Sequence, residues 1–242
     1  MIISHSNRFI FIASRKTAST SVGIALSSAC SLTDVITPLG SDETIRKGLN
    51  YPGPRFFIPW WNLGKYGIVR TKRKLNLLQQ SYSSELKKIG LHTHISLQEA
   101  RDKHYLDANK ISSYFSFCFV RNPWDLCLSR FYWINRKRSS SEHNLNDYLF
   151  HPKLEKAARM ERNLYMLDGH IAVSRFCRYE HLQDEVHRLF QDLNLPGNPS
   201  LPKSKTGTRI DRRHYRDVLT DLQAERIAQV YRFEIDKFGY SY

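Results

Sequence analysis

Residues 8–29 read RFIFIASRKTASTSVGIALSSA. The first six form a short apolar run rich in β-favouring side chains, and VGIALSSA at 22–29 has helical composition. Between them lies a tight polar loop, RKTASTS at 15–21, so the stretch reads as strand, loop, helix. The same pattern returns twice. YFSFCFV at 114–120 passes through RNP into WDLCLSRFYWINRKR, a helix with Pro123 in its first turn, where a missing N–H costs nothing. VSRFCR at 173–178 leads into YEHLQDEVHRLFQDLNLP, where Leu182, Val186, Leu189, Phe190 and Leu193 recur with helical spacing until Asn194 and Pro196 stop them. From about Arg216 the residues Leu219, Leu222, Ile227, Val230, Tyr231 and Ile235 predict one long helix packed back on the sheet. Strands alternating with helices imply an α/β fold, a parallel β-sheet flanked by helices on both faces.

The chain has 242 residues, and the reading is a single domain over 1–242 with a long insertion at about 34–80. That insertion, with YPGPRFFIPWW followed by VRTKRK, and a second stretch at 194–215 lack periodicity and read as long loops. Lys and Arg number 37 against 23 Asp and Glu, a net charge of +14, while 41% of the residues are hydrophobic. Such a chain has a core, so the charge sits on a folded surface and calls for an anionic partner. The four cysteines show no metal-ligand spacing and read as reduced, buried thiols. No apolar run approaches a membrane span, and the N-terminus lacks a signal peptide's pattern, which predicts a soluble protein.

Ligands of open parallel sheets sit beyond the carboxyl ends of strands, where a helix start offers N–H groups to an anion. RKTASTS fits that position. Arg15 and Lys16 bring charge, Thr17, Ser19, Thr20 and Ser21 bring hydroxyls, and Ala18 is small enough for a ligand to approach the backbone. The loop has no glycine and is not a GxxxxGK[ST] nucleotide loop. By itself it is equally compatible with Thr17 or Ser19 capping the helix and Lys16 standing in solvent. At the end of the next strand, Arg121 can fork onto a phosphate and Ser129, eight residues on, can add a hydroxyl.

With both motifs in place the sequence resembles the sulfotransferases that use 3′-phosphoadenosine-5′-phosphosulfate (PAPS), particularly the glycan type, which share a P-loop-NTPase-like fold. In that family a K-T-small-x-T-S loop holds the 5′-phosphosulfate and F-V-R-[DN]-P-x-x-R-x-x-S holds the 3′-phosphate. LHTHISLQEA at 91–100 resembles the histidine segment of heparan sulfate 2-O-sulfotransferase-like enzymes, RYEHL at 178–182 the family's R-[FY]-E-x-L helix, and the tail DKFGY its terminal D-x-x-x-FGY. One departure stands out: Leu126 replaces the usual arginine, with Arg130 a partial substitute.

The resemblance implies O-sulfation without a metal, releasing adenosine 3′,5′-bisphosphate. Lys16 would stabilise charge on the bridging oxygen, residues 15–21 with Arg121 and Ser129 would hold the donor, and His94 would be the general base, since a histidine titrates near neutrality. His92 would contact substrate. Lys205 and Arg209, in the basic loop PKSKTGTRIDRR, would close on the nucleotide. Trp60, Trp61 and Lys65 would offer a stacking and ion-pairing platform to a carbohydrate, itself acidic in one reading, or else cover a small subcore. The resemblance further implies a cytoplasmic bacterial or viral enzyme, or a trimmed lumenal domain. Two other classes stay open on residues alone: a basic nucleic-acid-binding domain, which lacks a known recognition signature here, and a P-loop-like small-molecule kinase.

Overall fold

A computed structural model describes residues 1–137, 144–197, 201–202, 209 and 211–242. The chain opens with β1 (Ile2–Ser4), turns, and returns as β2 (Phe9–Ile12), which feeds the loop at 13–18 and then α1 (Ser19–Ser27). β3 (Val35–Ile36) follows, then the short α2 (Glu43–Gly48) and two longer helices, α3 (Leu63–Lys74) and α4 (Tyr82–Ile89). After α5 (Leu97–Asp102) and α6 (Ala108–Ser113) the chain enters β4 (Phe115–Val120) and α7 (Pro123–Asn135). Helices α8 (Leu145–Phe150) and α9 (Lys153–Arg162) precede a two-stranded ribbon, β5 (Met166–Leu167) with β6 (His170–Ile171). β7 (Arg175–Arg178) and α10 (Leu182–Asp192) complete the third strand–helix unit. The tail holds α11 (Tyr215–Val218), α12 (Asp221–Val230) and α13 (Arg232–Phe238).

The main sheet has the order β3-β1-β2-β4-β7. Its centre is parallel as expected, with β2 beside β4 and β4 beside β7. The sheet as a whole is mixed, because β1 runs antiparallel to both β2 and β3. The expectation of a parallel sheet therefore holds for three of the five strands. The two added strands are three and two residues long, too short to show alternation in sequence.

Alternation along the central strands divides the core. Phe9, Phe11, Phe117 and Phe119 face α1 and α10, where Val22, Leu26, Val186, Leu189 and Phe190 pack on them. Ile3, Ile10, Ile12 and Cys118 face the other way, against Leu91, Ile95, Leu97, Leu164 and Tyr165. Burying each such side chain contributes about 2 kcal/mol, which fixes the register of β2 and β4 and so the position of the loops after them. A third cluster, built on Trp124, Cys127 and Leu128 of α7, receives α8, α9 and α12.

Two expectations need correction. The single long C-terminal helix is three segments: Thr220 forms a capping box with Gln223 that starts α12 afresh, and Tyr231, 1% exposed and outside helical geometry at φ −105°, separates α12 from α13. The insertion at 34–80 is not a loop, since it contains β3, α2 and α3. Helix α3 lacks a regular apolar stripe, since five of its twelve residues are Lys or Arg and only Val69 is buried while Leu63 and Ile68 are exposed. Among the described residues no helix is long and apolar enough to cross a membrane.

Candidate active site

The loop after β2 is shaped by its backbone. Lys16 and Ala18 both have left-handed geometry, with φ of 63° and 54°. A residue with a Cβ there costs on the order of 1 kcal/mol, and glycine is the usual occupant. Two positions that glycine would ordinarily fill are thus occupied by residues with a Cβ. Thr17 is buried and its hydroxyl donates to the Ser14 carbonyl at 3.1 Å, which closes the turn. Ala18 is the N-cap of α1 and supplies no side-chain acceptor, so neither Thr17 nor Ser19 caps the helix. Ser19, Thr20 and Ser21 are buried in the first turn of α1, with the positive end of the helix dipole beneath the loop.

Arg121 ties this loop to the second motif. Its Nη1 donates to the Lys16 carbonyl at 2.6 Å and to Ser129 Oγ at 3.1 Å. Its Nε and Nη2 reach Asp125 Oδ2 at 2.8 and 2.7 Å, and its guanidinium lies 4.0 Å from the centre of the Tyr179 ring. Asn122 fixes the start of α7 by accepting from the N–H groups of Trp124 and Asp125, and Pro123 takes its expected place in the first turn. Asp125 then receives a second arginine: Arg209 Nη1 sits 2.7 Å from its Oδ1. Arg209 is thereby held against the second motif, while Lys205 lies outside the described residues.

Three further residues complete the surroundings. Lys16 Nζ stands 4.5 Å above the centre of the Trp133 ring, one turn beyond Ser129 on α7. Arg15 is turned to Glu161, which accepts from its backbone N–H and its Nη1, both at 3.0 Å. Arg130 Nη2 also approaches Glu161, at 3.9 Å. Leu126 is buried against the cluster around Trp124, so the position where the family carries an arginine is filled by packing, and Arg130 reaches the carboxylate from the next turn.

The histidine segment arrives from the other side of β2. Leu91 N–H donates to the Phe57 carbonyl at 2.7 Å and Thr93 Oγ1 to the Pro38 carbonyl at 2.7 Å, while Ser96 and Glu99 form the capping box of α5. Between these anchors, His94 Nδ1 lies 2.7 Å from the carbonyl oxygen of Ala13, the residue after β2. A carbonyl only accepts, so Nδ1 carries the proton and Nε2 is the basic nitrogen. A backbone bond from one ring nitrogen is the usual way to set which nitrogen of a histidine works as base.

His92 is more deeply placed. Burial pushes its pKa down to about 4, with Glu99 opposing and Lys87 and Lys103 assisting, so it is neutral at pH 7. Its folded-state pKa lies below the unfolded value of about 6.5, so the unfolded chain binds the extra proton between those limits and stability falls as pH drops from 7 to 4. Urea unfolding of His92→Asn at pH 7 and pH 4.5 is expected to show an acid loss smaller than the wild type's by on the order of 2 kcal/mol. An equal loss in both would assign the acid sensitivity elsewhere.

Trp60, Trp61 and Lys65 lie on the exposed side of the α3 hairpin, with Trp60 78% exposed and Trp61 edge-on to His104. The small subcore weighed against the platform is present: Ile58, Val69 and Ile89 with Tyr66, Tyr82 and Leu86. Sequence reasoning missed Asp125, Tyr179, Trp133 and Glu161. Asp125 stood four residues beyond Arg121, a spacing that pairs charges on a helix. Glu161, 146 residues from Arg15, left no such signal.

Among the described residues no three His, Cys, Asp or Glu side chains gather as a metal site. The family model of the sulfotransferase family matches residues 1–241 of the chain. No curated protein and no solved structure matches it significantly. With the match running along nearly the whole chain, including the β2 loop, the β4–α7 junction and the FGY tail, the chain belongs to the sulfotransferase family and its chemistry is sulfuryl transfer.

Proposed function

We propose that this sulfotransferase uses PAPS as donor and a hydroxyl of a carbohydrate as acceptor, within a single domain whose insertion at 34–80 lies on the acceptor side. The observation that carries the reading is the convergence at the carboxyl end of β2: Arg121 joins the Lys16 carbonyl to Ser129, while His94 is bonded to Ala13 three residues before Lys16. A charge-binding loop, an anion-binding guanidinium and an oriented base are thus anchored to one strand end.

The residues suit a doubly phosphorylated nucleotide. The backbone N–H groups of 17–21 and the start of α1 favour a 5′-phosphate, and Arg121 with Ser129, joined by Arg209 across Asp125, favours a 3′-phosphate. PAPS supplies the sulfuryl group and leaves as adenosine 3′,5′-bisphosphate. Lys16 stabilises the negative charge that grows on the bridging oxygen, an electrostatic role that needs no proton transfer. His94 Nε2 takes the proton of the acceptor hydroxyl as the new S–O bond forms, and Nδ1 keeps its own proton on Ala13. The carbohydrate assignment rests on the glycan-type motifs and on the basic surface.

The test is transfer of labelled sulfate from PAPS to a panel of sugars with and without uronic acids. Label on at least one sugar, favoured by the acidic ones, is the expected result. Label on a phenol or a steroid hydroxyl with none on sugars would keep the donor and overturn the acceptor.

A further inference from the structure

The hairpin of α3 and α4 contains none of the donor residues and has a surface of its own. Its inner side closes on Val69, Ile58 and Ile89, with Arg70 and Arg73 laid over the rings of Tyr66 and Tyr82. Its outer side is bare. Ile68 and Leu75, seven residues apart and therefore on one face of the helix, are 58% and 61% exposed. Leu63 and Leu77 are exposed near the two ends of the helix, and the turn before it carries Trp60 and Trp61. Of the 14 exposed large apolar side chains among the described residues, seven fall between 56 and 77, a concentration in one stretch of the chain that includes Ile68 and Leu75 on the same helix face.

The charge around the patch has one sign. Between Trp60 and Ser84 the chain has no acidic residue and five Lys and Arg. Lys72 follows Ile68 by one turn and Lys65 shares that flank, while Lys74 directly precedes Leu75, all of them exposed. Two requirements must therefore be met by one occupant: aliphatic tips that gain by leaving water, and a cationic rim without a counter-charge. A soluble acidic glycan would satisfy the rim and leave Ile68 and Leu75 in water. An anionic bilayer surface satisfies both, taking the aliphatic side chains at the acyl boundary, the two tryptophans at headgroup depth and the lysines at the phosphates.

We propose that the outer face of α3, with the Trp60–Trp61 turn, docks on an anionic phospholipid surface. The inference does not rest on the donor or the acceptor assigned above. It bears on them through the chain, because α4 ends at Ile89, five residues before His94, so a docked hairpin would hold the base segment next to the lipid.

The experiment is sedimentation of the full chain with vesicles of phosphatidylcholine alone and with phosphatidylglycerol added, while tryptophan emission is followed. The chain is expected to sediment with the anionic vesicles, with a blue shift, and to stay in solution with the neutral ones. The exposed double variant Lys72→Gln/Lys74→Gln should lose about 30-fold in affinity, at about 1 kcal/mol per cation. Ile68→Ser/Leu75→Ser should lose at least about tenfold and the blue shift with it. Melting curves matching the wild type's would show that the variants fold. The proposal is overturned if anionic vesicles leave the chain in solution, if the apolar double variant binds as the wild type does, if a soluble acidic oligosaccharide produces the same emission shift, or if the chain self-associates through this face.

Discussion

His94→Ala is expected to lower kcat by about 10²–10⁴ while leaving the affinity for adenosine 3′,5′-bisphosphate within about twofold of the wild type. The split follows from the geometry. His94 is held by Ala13, Thr93 and the capping box at Ser96, all outside the β4–α7 junction, so its removal does not disturb Arg121, Ser129 or Asp125. What should be lost is the proposed base, and with it the acid limb that a general base gives to the pH–rate profile. His94→Asn is the sharper variant. Its amide can donate to the Ala13 carbonyl, but offers no basic nitrogen, so it should be as slow as alanine. Recovery of activity in His94→Asn would make the residue a positioning group and assign the proton to another acceptor.

Arg121→Ala should have the largest effect on binding, lowering affinity for adenosine 3′,5′-bisphosphate by about 100-fold or more, since charge-assisted hydrogen bonds to a partly buried ligand contribute about 1.5–3 kcal/mol each. The side chain is only 10% exposed and touches the Lys16 carbonyl, Ser129 and Asp125 at once. Its loss also leaves Asp125 to Arg209 alone, so the variant should unfold at lower urea as well. Calorimetry and urea titration separate the two effects. The companion variant Ser129→Ala removes one hydroxyl and keeps the ion pair, and it should weaken binding about tenfold with stability nearly unchanged. If Ser129→Ala and Arg121→Ala both bind the bisphosphate as the wild type does, the 3′-phosphate lies elsewhere.

The parts of this site visible in the sequence were those set by local physics. Strands β2 and β4 are largely apolar runs because both of their faces are buried, β7 keeps Phe176 and Cys177 between two arginines, and each is followed by a polar junction and an amphipathic or apolar helix. Arg121 and Ser129 lie on one helix-bearing segment, so their eight-residue spacing carried their geometry. His94 drew attention only through the resemblance, since nothing local announces that its ring would meet Ala13 across 81 residues. Arg15 shows another limit: nothing local announces that Glu161 of α9, 146 residues on, accepts from its guanidinium. Short antiparallel β1 and β3 were hidden by their length. Helix α3 was hidden because its few apolar residues do not form one stripe: Val69 turns inward while Ile68 is exposed among lysines, the property that makes its surface a docking candidate.

The central claim is that the loop after β2 and the arginine after β4 form a site for a nucleotide phosphorylated at both the 3′ and the 5′ positions. Calorimetric titration of the wild-type chain with adenosine 3′,5′-bisphosphate, adenosine 5′-monophosphate and ATP with magnesium tests it without reference to the acceptor. Binding of the bisphosphate at least about 30-fold tighter than the other two, and reduced to their level in Arg121→Ala, is the predicted result. ATP with magnesium binding as tightly as the bisphosphate, or a preference that survives Arg121→Ala, would contradict it.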